Sequence, residues 1–267
     1  MASVVEHRPV TRNSRTLSSN AVDSRQVNAV AKLKRVLGEK WTVRLRCLLR
    51  GYRLPRWGNL RTTEPFSRNF GFERGTPVDR YYLMKFLDRH RNLISGRVLE
   101  IQVSGYTKLY GNGVTEAHTV DIDPSFKSTY VCDLAESDGV IPSNYYDCFL
   151  LPNTLCLLRD IENCLRQALR VVKSGGVVLA TTAGLLPLIA DADDYWHLSA
   201  AGWRQVVKRS WPGCDVSVES HGNCLSATAA MLGLALEELR PDELDVQDPR
   251  YPVLVTLVCR KPNSHRM

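Results

Sequence analysis

The sequence predicts an α/β fold: a mostly parallel seven-stranded sheet with helices on both faces, behind a helical and irregular N-terminal extension. Three observations predict it. From Gly96 onward, short apolar runs alternate with stretches of helical periodicity, the pattern of parallel strands joined by helical crossovers. Before Gly96 the alternation is missing and the charge reverses. Residues 1–96 carry 20 Lys and Arg against 7 Asp and Glu, whereas residues 97–267 carry 15 against 21. Finally, 267 residues at 44% hydrophobic content can bury a full core without a metal or disulfide staple.

The elements follow in order. Residues 1–24 are polar and aperiodic, and disorder is expected there. Helical spacing starts at Asp23 or Ser24 with Val27, Val30, Ala31, Leu33, Val36 and Leu37, and Gly38 ends it. A basic helix is predicted from Trp41 to Leu49. From Gly51 to Gly75 the chain is broken by Pro55, Gly58, Pro65, Gly71 and Gly75. The aromatics of that stretch, Trp57, Phe66, Phe70 and Phe72, are expected to pin it to the body rather than to stack on bases. Pro77 suits the first turn of an amphipathic helix that Gly96 closes. Residues 25–77 thus form the extension, 78–262 the main domain and 263–267 a tail.

Strands are predicted at Arg97–Val103, His118–Ile122, Thr129–Cys132, Tyr146–Leu151, Gly176–Thr182, 215–221 and Val253–Arg260. Helices are predicted at Leu155–Val172, 199–210 and Ala227–Leu239. The eight cysteines form no CxxC pair, so free thiols are expected and a zinc site is not. The first thirty residues lack an apolar signal core, and the apolar run Val177 to Ala190 is too short to span a bilayer. A cytoplasmic location without a membrane partner is the expectation.

In an open parallel sheet, ligands bind beyond the carboxyl ends of the strands, at the switch point. A carboxylate there after the second strand, Asp121 or Asp123, suits a ribose diol, because it accepts from both hydroxyls. Asp133, after the third, can accept from an adenine amino group, and the next backbone N–H can serve a ring nitrogen. Each aspartate has a plain alternative as a cap or turn residue. The GxGxxG loop of a dinucleotide site is absent.

Several segments fall in a family's order: Val98–Ile101, Asp121-Ile122-Asp123, Cys132-Asp133-Leu134, the run from Tyr146 to Leu155, and Leu169 to Leu179 with its Lys173-Ser174-Gly175-Gly176 turn. Together they resemble the methyltransferase-11 type of class I S-adenosylmethionine-dependent methyltransferase, over about 185 residues ending at Lys261. The leading Trp57-Gly58-Asn59-Leu60, Pro65-Phe66-Ser67 and Arg74 to Tyr82 segments resemble a bacterial subgroup with such an extension, often found in sugar or natural-product pathways.

The resemblance implies a Rossmann-like methyltransferase fold and S-adenosylmethionine as cofactor. It implies that Glu100 supports the loop and meets the methionine amino group, while Gln102 to Gly105 pass along the methionine. Asp121 or Asp123 would hold the ribose, and Asp133 and Leu134 would frame the adenine. Asn153 and Thr154 would border the sulfonium, and Tyr81 or Tyr82 would cover the site. One departure stands out: Gln102 occupies the place of the loop's first glycine, where a side chain intrudes on the methionine pocket.

For the acceptor's proton, His197 is the first choice of base and His221 the second. Asp191, Asp193 and Asp194 read as a solvated acidic loop rather than a metal site. The favoured function is methyl transfer to a hydroxyl or amine of a small molecule. The alternative is a methyltransferase fold turned cyclase, isomerase or non-catalytic partner. A nucleic-acid methyltransferase or binder rests only on the basic N-terminus, which is expected instead to dock on its own acidic body or on a twin in a homodimer.

Overall fold

The computed structural model describes residues 41, 44, 45, 47–52, 56–190 and 192–263. The expected tail 1–24, the helix predicted from Asp23 to Gly38, and Asp191 lie outside the described residues. Residues 41, 44, 45 and 47–49 are helical, where the basic helix is predicted. Thr63–Met267 form a compact unit of their own.

That unit is built on seven strands: β1 (Gly96–Ile101), β2 (Val114–Asp121), β3 (Tyr130–Val131), β4 (Tyr146–Leu151), β5 (Val172–Ala183), β6 (Asp215–His221) and β7 (Leu254–Arg260). They lie in the order β3-β2-β1-β4-β5-β7-β6. Strands β1 to β5 pair in parallel, and β7 runs antiparallel to both β5 and β6. The winding direction reverses between β1 and β4, which puts the switch point at their carboxyl ends.

The helices are α1 (Val78–Arg89), α2 (Gly105–Tyr110), α3 (Ile161–Val171), α4 (Ala200–Ser210), α5 (Cys224–Met231) and α6 (Pro241–Asp245). Period-two alternation along the strands sorts side chains into two cores. Val98, Cys148, Leu150, Val177 and Leu179 join Leu83, Phe86 and Leu87 of α1 and Ala227 and Ala230 of α5. Their neighbours Leu99, Phe149, Leu151, Val178 and Ala180 join Leu165 and Ala168 of α3 and Trp203 and Val207 of α4. These strands are buried on both faces, which is why they read as continuous apolar runs.

Two predicted helices are shorter than their apolar patterns. The segment predicted from Leu155 begins with a single 3₁₀ turn, Leu155–Leu157, and the helix starts only at Ile161. Asp160 caps it, accepting from the Asn163 amide at 3.1 Å. The helix predicted over Ala227–Leu239 spans Cys224–Met231 instead. Asn223 and Ser226 form its capping box, and Gly233 takes φ +69° just beyond its end. There a Cβ would lie 2.3 Å from the Ser67 carbonyl oxygen, so the backbones meet where only glycine fits.

That close approach belongs to the loop before α1. Phe66 N–H donates to the Leu232 carbonyl at 2.8 Å, and the Thr76 amide and hydroxyl donate to Glu237 at 2.9 and 2.7 Å. Residues 63–77 are thus laced to the turn after α5, which brings Phe70 and Phe72 to the carboxyl-end side of the sheet.

Candidate active site

The loop after β1 is organised by Glu100. Its side chain is buried, with one oxygen accepting from the Tyr106 amide at 2.9 Å. The other accepts from the Thr107 amide at 2.8 Å and the Thr107 hydroxyl at 2.6 Å. Glu100 therefore holds the N-terminus of α2 and sets the path of residues 102–105. Burial pushes its carboxyl above the usual range, against the downward pull of these three donors.

Gln102 takes φ +66°, the left-handed conformation that glycine adopts without strain. The backbone keeps the shape of a glycine loop while carrying a side chain. Its amide donates to the Val120 carbonyl at 2.9 Å, and its own carbonyl accepts from Ser128 Oγ at 2.9 Å. We expect Gln102→Gly to relieve about 1 kcal/mol of backbone strain, raising Tm by roughly 2–4 °C in a domain of this size. Gln102→Val should lower it; differential scanning fluorimetry on the two variants checks the sign. Gly105 does not line the cavity described next, and a Cβ there would meet nothing nearer than Val103 Cγ2 at 4.0 Å.

Beyond the tips of β1, β2 and β4 lies a cavity of about 670 Å³. Its walls include Gln102, Asp121, Asp133, Leu134, Asn153 and Thr154, six of the residues expected from the sequence. Asp121 accepts from the Asp123 amide at 2.7 Å with one oxygen, and Asp133 from the Ala135 amide at 2.8 Å with one. The second oxygen of each has no hydrogen-bond partner among the described residues. Both aspartates therefore make the turns of the plain reading and still present an acceptor. Asp123 does not line the cavity; it caps the next turn through the Ser125 amide at 2.8 Å. The residues present fit a nucleoside: a roomy hollow, open acceptor oxygens on two walls, and apolar Ile122 and Leu134 between them.

Asn153, just after β4, takes φ +48°, a conformation that asparagine tolerates better than most residues. Its side-chain oxygen accepts from Thr181 Oγ1 at 2.8 Å, and its Nδ2 donates to Asp79 Oδ2 at 2.6 Å. Asp79 is buried and also receives Arg80 Nη1 at 2.5 Å. Arg80 reaches the wall of the cavity. A second, smaller pocket of about 230 Å³ shares Arg80 and Asn153 with the first. Phe70, Phe72, Leu186, Pro187 and Ile189 give it mostly apolar walls, and Asp79 and Asp194 supply carboxylates. Asp79 and Arg80 are not among the residues singled out from the sequence, and Asp194, read there as part of a solvated acidic loop, has a side chain only 3% exposed. The available signal was a charged pair in the first turn of an otherwise apolar helix.

The remaining expected residues lie elsewhere. His197 Nδ1 is 2.9 Å from the Gly184 carbonyl and Nε2 is 3.0 Å from Asp194 Oδ1, so both ring nitrogens face the protein. Tyr81, expected to cover the site, instead donates to Asp245 at 2.6 Å in a separate groove. Tyr82 and His221 line that groove too. His221 sits at the end of β6, 2.9 Å from Thr256 Oγ1, with its ring stacked on Tyr82. It is remote in chemistry from both pockets at the switch point.

Burial pushes the His221 imidazole below its ordinary value, opposed by Glu219 and assisted by Arg89. Its neutral form is favoured in the folded state. That contribution to stability is present above a pH of about 6.5 and is lost as pH falls through the depressed folded value. Tm measured from about pH 7.5 to 5 should fall less steeply in His221→Gln than in the parent chain.

An open, largely parallel sheet that reverses at β1 and β4, with a hollow of about 670 Å³ at that point, is a Rossmann-like architecture. Residues 103–180 match the family model of the methyltransferase domain. No curated protein sequence matches the chain. Among solved structures, it is similar to a SAM-dependent methyltransferase from Archaeoglobus fulgidus, at 15% identity over 68% of this chain and 94% of that one, TM-score 0.47. It is similar to the cyclase SpnF at 14% identity, 75% and 87% coverage and TM-score 0.47. A phosphoethanolamine N-methyltransferase 2 from Haemonchus contortus, solved with S-adenosyl-L-methionine, gives 16% identity, 76% and 54% coverage and TM-score 0.47. The match to the methyltransferase domain model points to S-adenosylmethionine as the cofactor. Among the described residues no helix is long and apolar enough to cross a membrane, and no cluster of three His, Cys, Asp or Glu could hold a metal.

Proposed function

We propose that this protein is a methyltransferase acting on a hydroxyl or amine of a small molecule, such as a sugar or natural-product intermediate. The observation that carries this reading is the pair of adjoining pockets at the switch point, sharing Arg80 and Asn153. Asp121 holds the ribose through its open oxygen, and Asp133 and Leu134 frame the adenine. Gln102, on the cavity wall, borders the methionine, and Glu100 shapes its loop from behind. Asn153 and Thr154 border the sulfonium, at the boundary with the smaller pocket. When bound, the cofactor supplies an electrophilic methyl group. The protein aligns the acceptor with it and keeps water out.

Eight free cysteines support a reducing compartment such as the cytoplasm. The alternative, a methyltransferase fold that runs a cyclisation or isomerisation, draws on one observation: the Gln102 side chain stands on the cavity wall. Titration calorimetry with S-adenosylmethionine and S-adenosylhomocysteine tests the proposal. Micromolar binding of both is expected. No heat at millimolar ligand, restored by Gln102→Gly, would overturn it in favour of the alternative.

A further inference from the structure

We infer that Arg80 receives the carboxylate of the cofactor's methionine arm, so that the larger cavity selects its ligand by the charged tail as well as by the nucleoside. The inference rests on the proposed reading of that cavity and adds a binding residue to it.

The Arg80 guanidinium is held by the protein but not used up. Its Nη1 donates to Asp79 Oδ2 at 2.5 Å. Its Nε and Nη2 have no hydrogen-bond partner among the described residues, and the side chain is 26% exposed. Asp79 is itself buried, and Asn153 Nδ2 donates to the same oxygen at 2.6 Å. This clamp sets the guanidinium on the cavity wall before a ligand arrives. An arginine anchored at one nitrogen and open at the others matches the paired oxygens of a carboxylate.

Strand order separates the two ends of the cavity. Asp121 ends β2 and Asp133 follows β3, whereas Asn153 follows β4, two strands away from β2. At the usual spacing between strands, Asp121 and Asn153 stand roughly 10 Å apart. Arg80 is tied to the Asn153 end through Asp79. It also lies near Tyr106 in the first turn of α2, where burial pushes the tyrosine hydroxyl up and the Arg80 charge opposes that push. Arg80 therefore sits beside the loop that Glu100 shapes, at the end away from Asp121 and Asp133. An adenosine held by those aspartates points its amino-acid arm toward it.

The rest of the wall is unfavourable to an anion. Asp121, Asp133 and Asp193 place three carboxylates around the cavity, and its cations are Arg80 and Arg159. Arg159 is exposed, beside Tyr195, whose hydroxyl donates to Asp193 at 2.7 Å. A ligand carboxylate placed there would meet like charge and strong screening. At Arg80 it meets open donors in a more sheltered corner.

The test is calorimetry on the full-length protein with two ligands. One is S-adenosylhomocysteine. The other is its decarboxylated analogue, which keeps the adenosine, the sulfur and the amine. The parent should bind S-adenosylhomocysteine at least about tenfold more tightly than the analogue. Arg80→Gln removes the charge and keeps a donor for Asp79. It should erase that preference by losing S-adenosylhomocysteine affinity, while affinity for the analogue holds or rises because the arginine no longer repels its ammonium. General damage to the cavity would weaken both ligands together. Arg80→Lys keeps the charge without the fork, should retain only part of the preference, and serves if Arg80→Gln does not fold. Equal binding of the two ligands by the parent overturns the inference, as does an undiminished preference in either variant. Binding of both ligands without preference sinks this inference alone. Binding of neither sinks the methyltransferase proposal and this inference with it.

Discussion

Replacing Asp121 with alanine is expected to weaken S-adenosylmethionine binding by 10- to 100-fold and leave Tm within a degree or two. A carboxylate that accepts from two ribose hydroxyls makes charge-assisted hydrogen bonds of roughly 1.5–3 kcal/mol each. One of its oxygens is already engaged with the Asp123 amide, so the loss falls mainly on the free oxygen. The folded protein itself loses only an exposed turn contact. Asp123→Ala is the paired control. Asp123 caps the following turn and does not line the cavity, so its variant should bind with near-parental affinity. Calorimetry with S-adenosylhomocysteine, which cannot react, measures both. Equal affinity for Asp121→Ala and the parent would remove the ribose assignment.

The largest stability effect is expected from Glu100→Ala, a loss of about 3–5 kcal/mol. The substitution strands two backbone amides and a hydroxyl at the start of α2, against the interior strand β1, where Glu100 is buried and water cannot readily replace the carboxylate. Each buried donor left without a partner costs about 1–3 kcal/mol. Tm should drop by roughly 10 °C. Glu100→Gln keeps an acceptor for one oxygen's share and turns an amide nitrogen toward the other donors, so it should fall between. Because Glu100 shapes residues 102–105, cofactor affinity should fall with stability in both variants, whereas in Asp121→Ala affinity alone falls. Chemical denaturation and calorimetry on the same samples separate the two patterns.

The sheet was legible in the sequence because its central strands are buried on both faces and so read as unbroken apolar runs. β2 was foreseen only in its second half. Thr115 and Glu116 interrupt its apolar pattern, since the strand begins half-exposed and the short edge strand β3 pairs only with its end, at Val120 and Asp121. The cavity was legible too, because strand order alone places Gln102, Asp121, Asp133 and Asn153 around one switch point. Side-chain direction was not. Whether Glu100 points at a ligand or at a helix N-terminus depends on where α2 begins, and Gly105 to Tyr110 carries little helical periodicity to mark it. The smaller pocket was hidden for another reason. It joins residues near 70, 80, 153 and 194, and those separations are set by tertiary packing, with no local pattern to announce them.

Asp79, Asn153 and Thr181 form one chain of contacts from α1 to the tips of β4 and β5, and Arg80 at its head belongs to both hollows. Two ligands that lean on a common partition cannot bind as strangers. Whichever arrives first settles the partition for the other, and by thermodynamic reciprocity the help each gives is equal in both directions. Any coupling between two such occupants therefore runs through this one salt-bridged post rather than through either chamber.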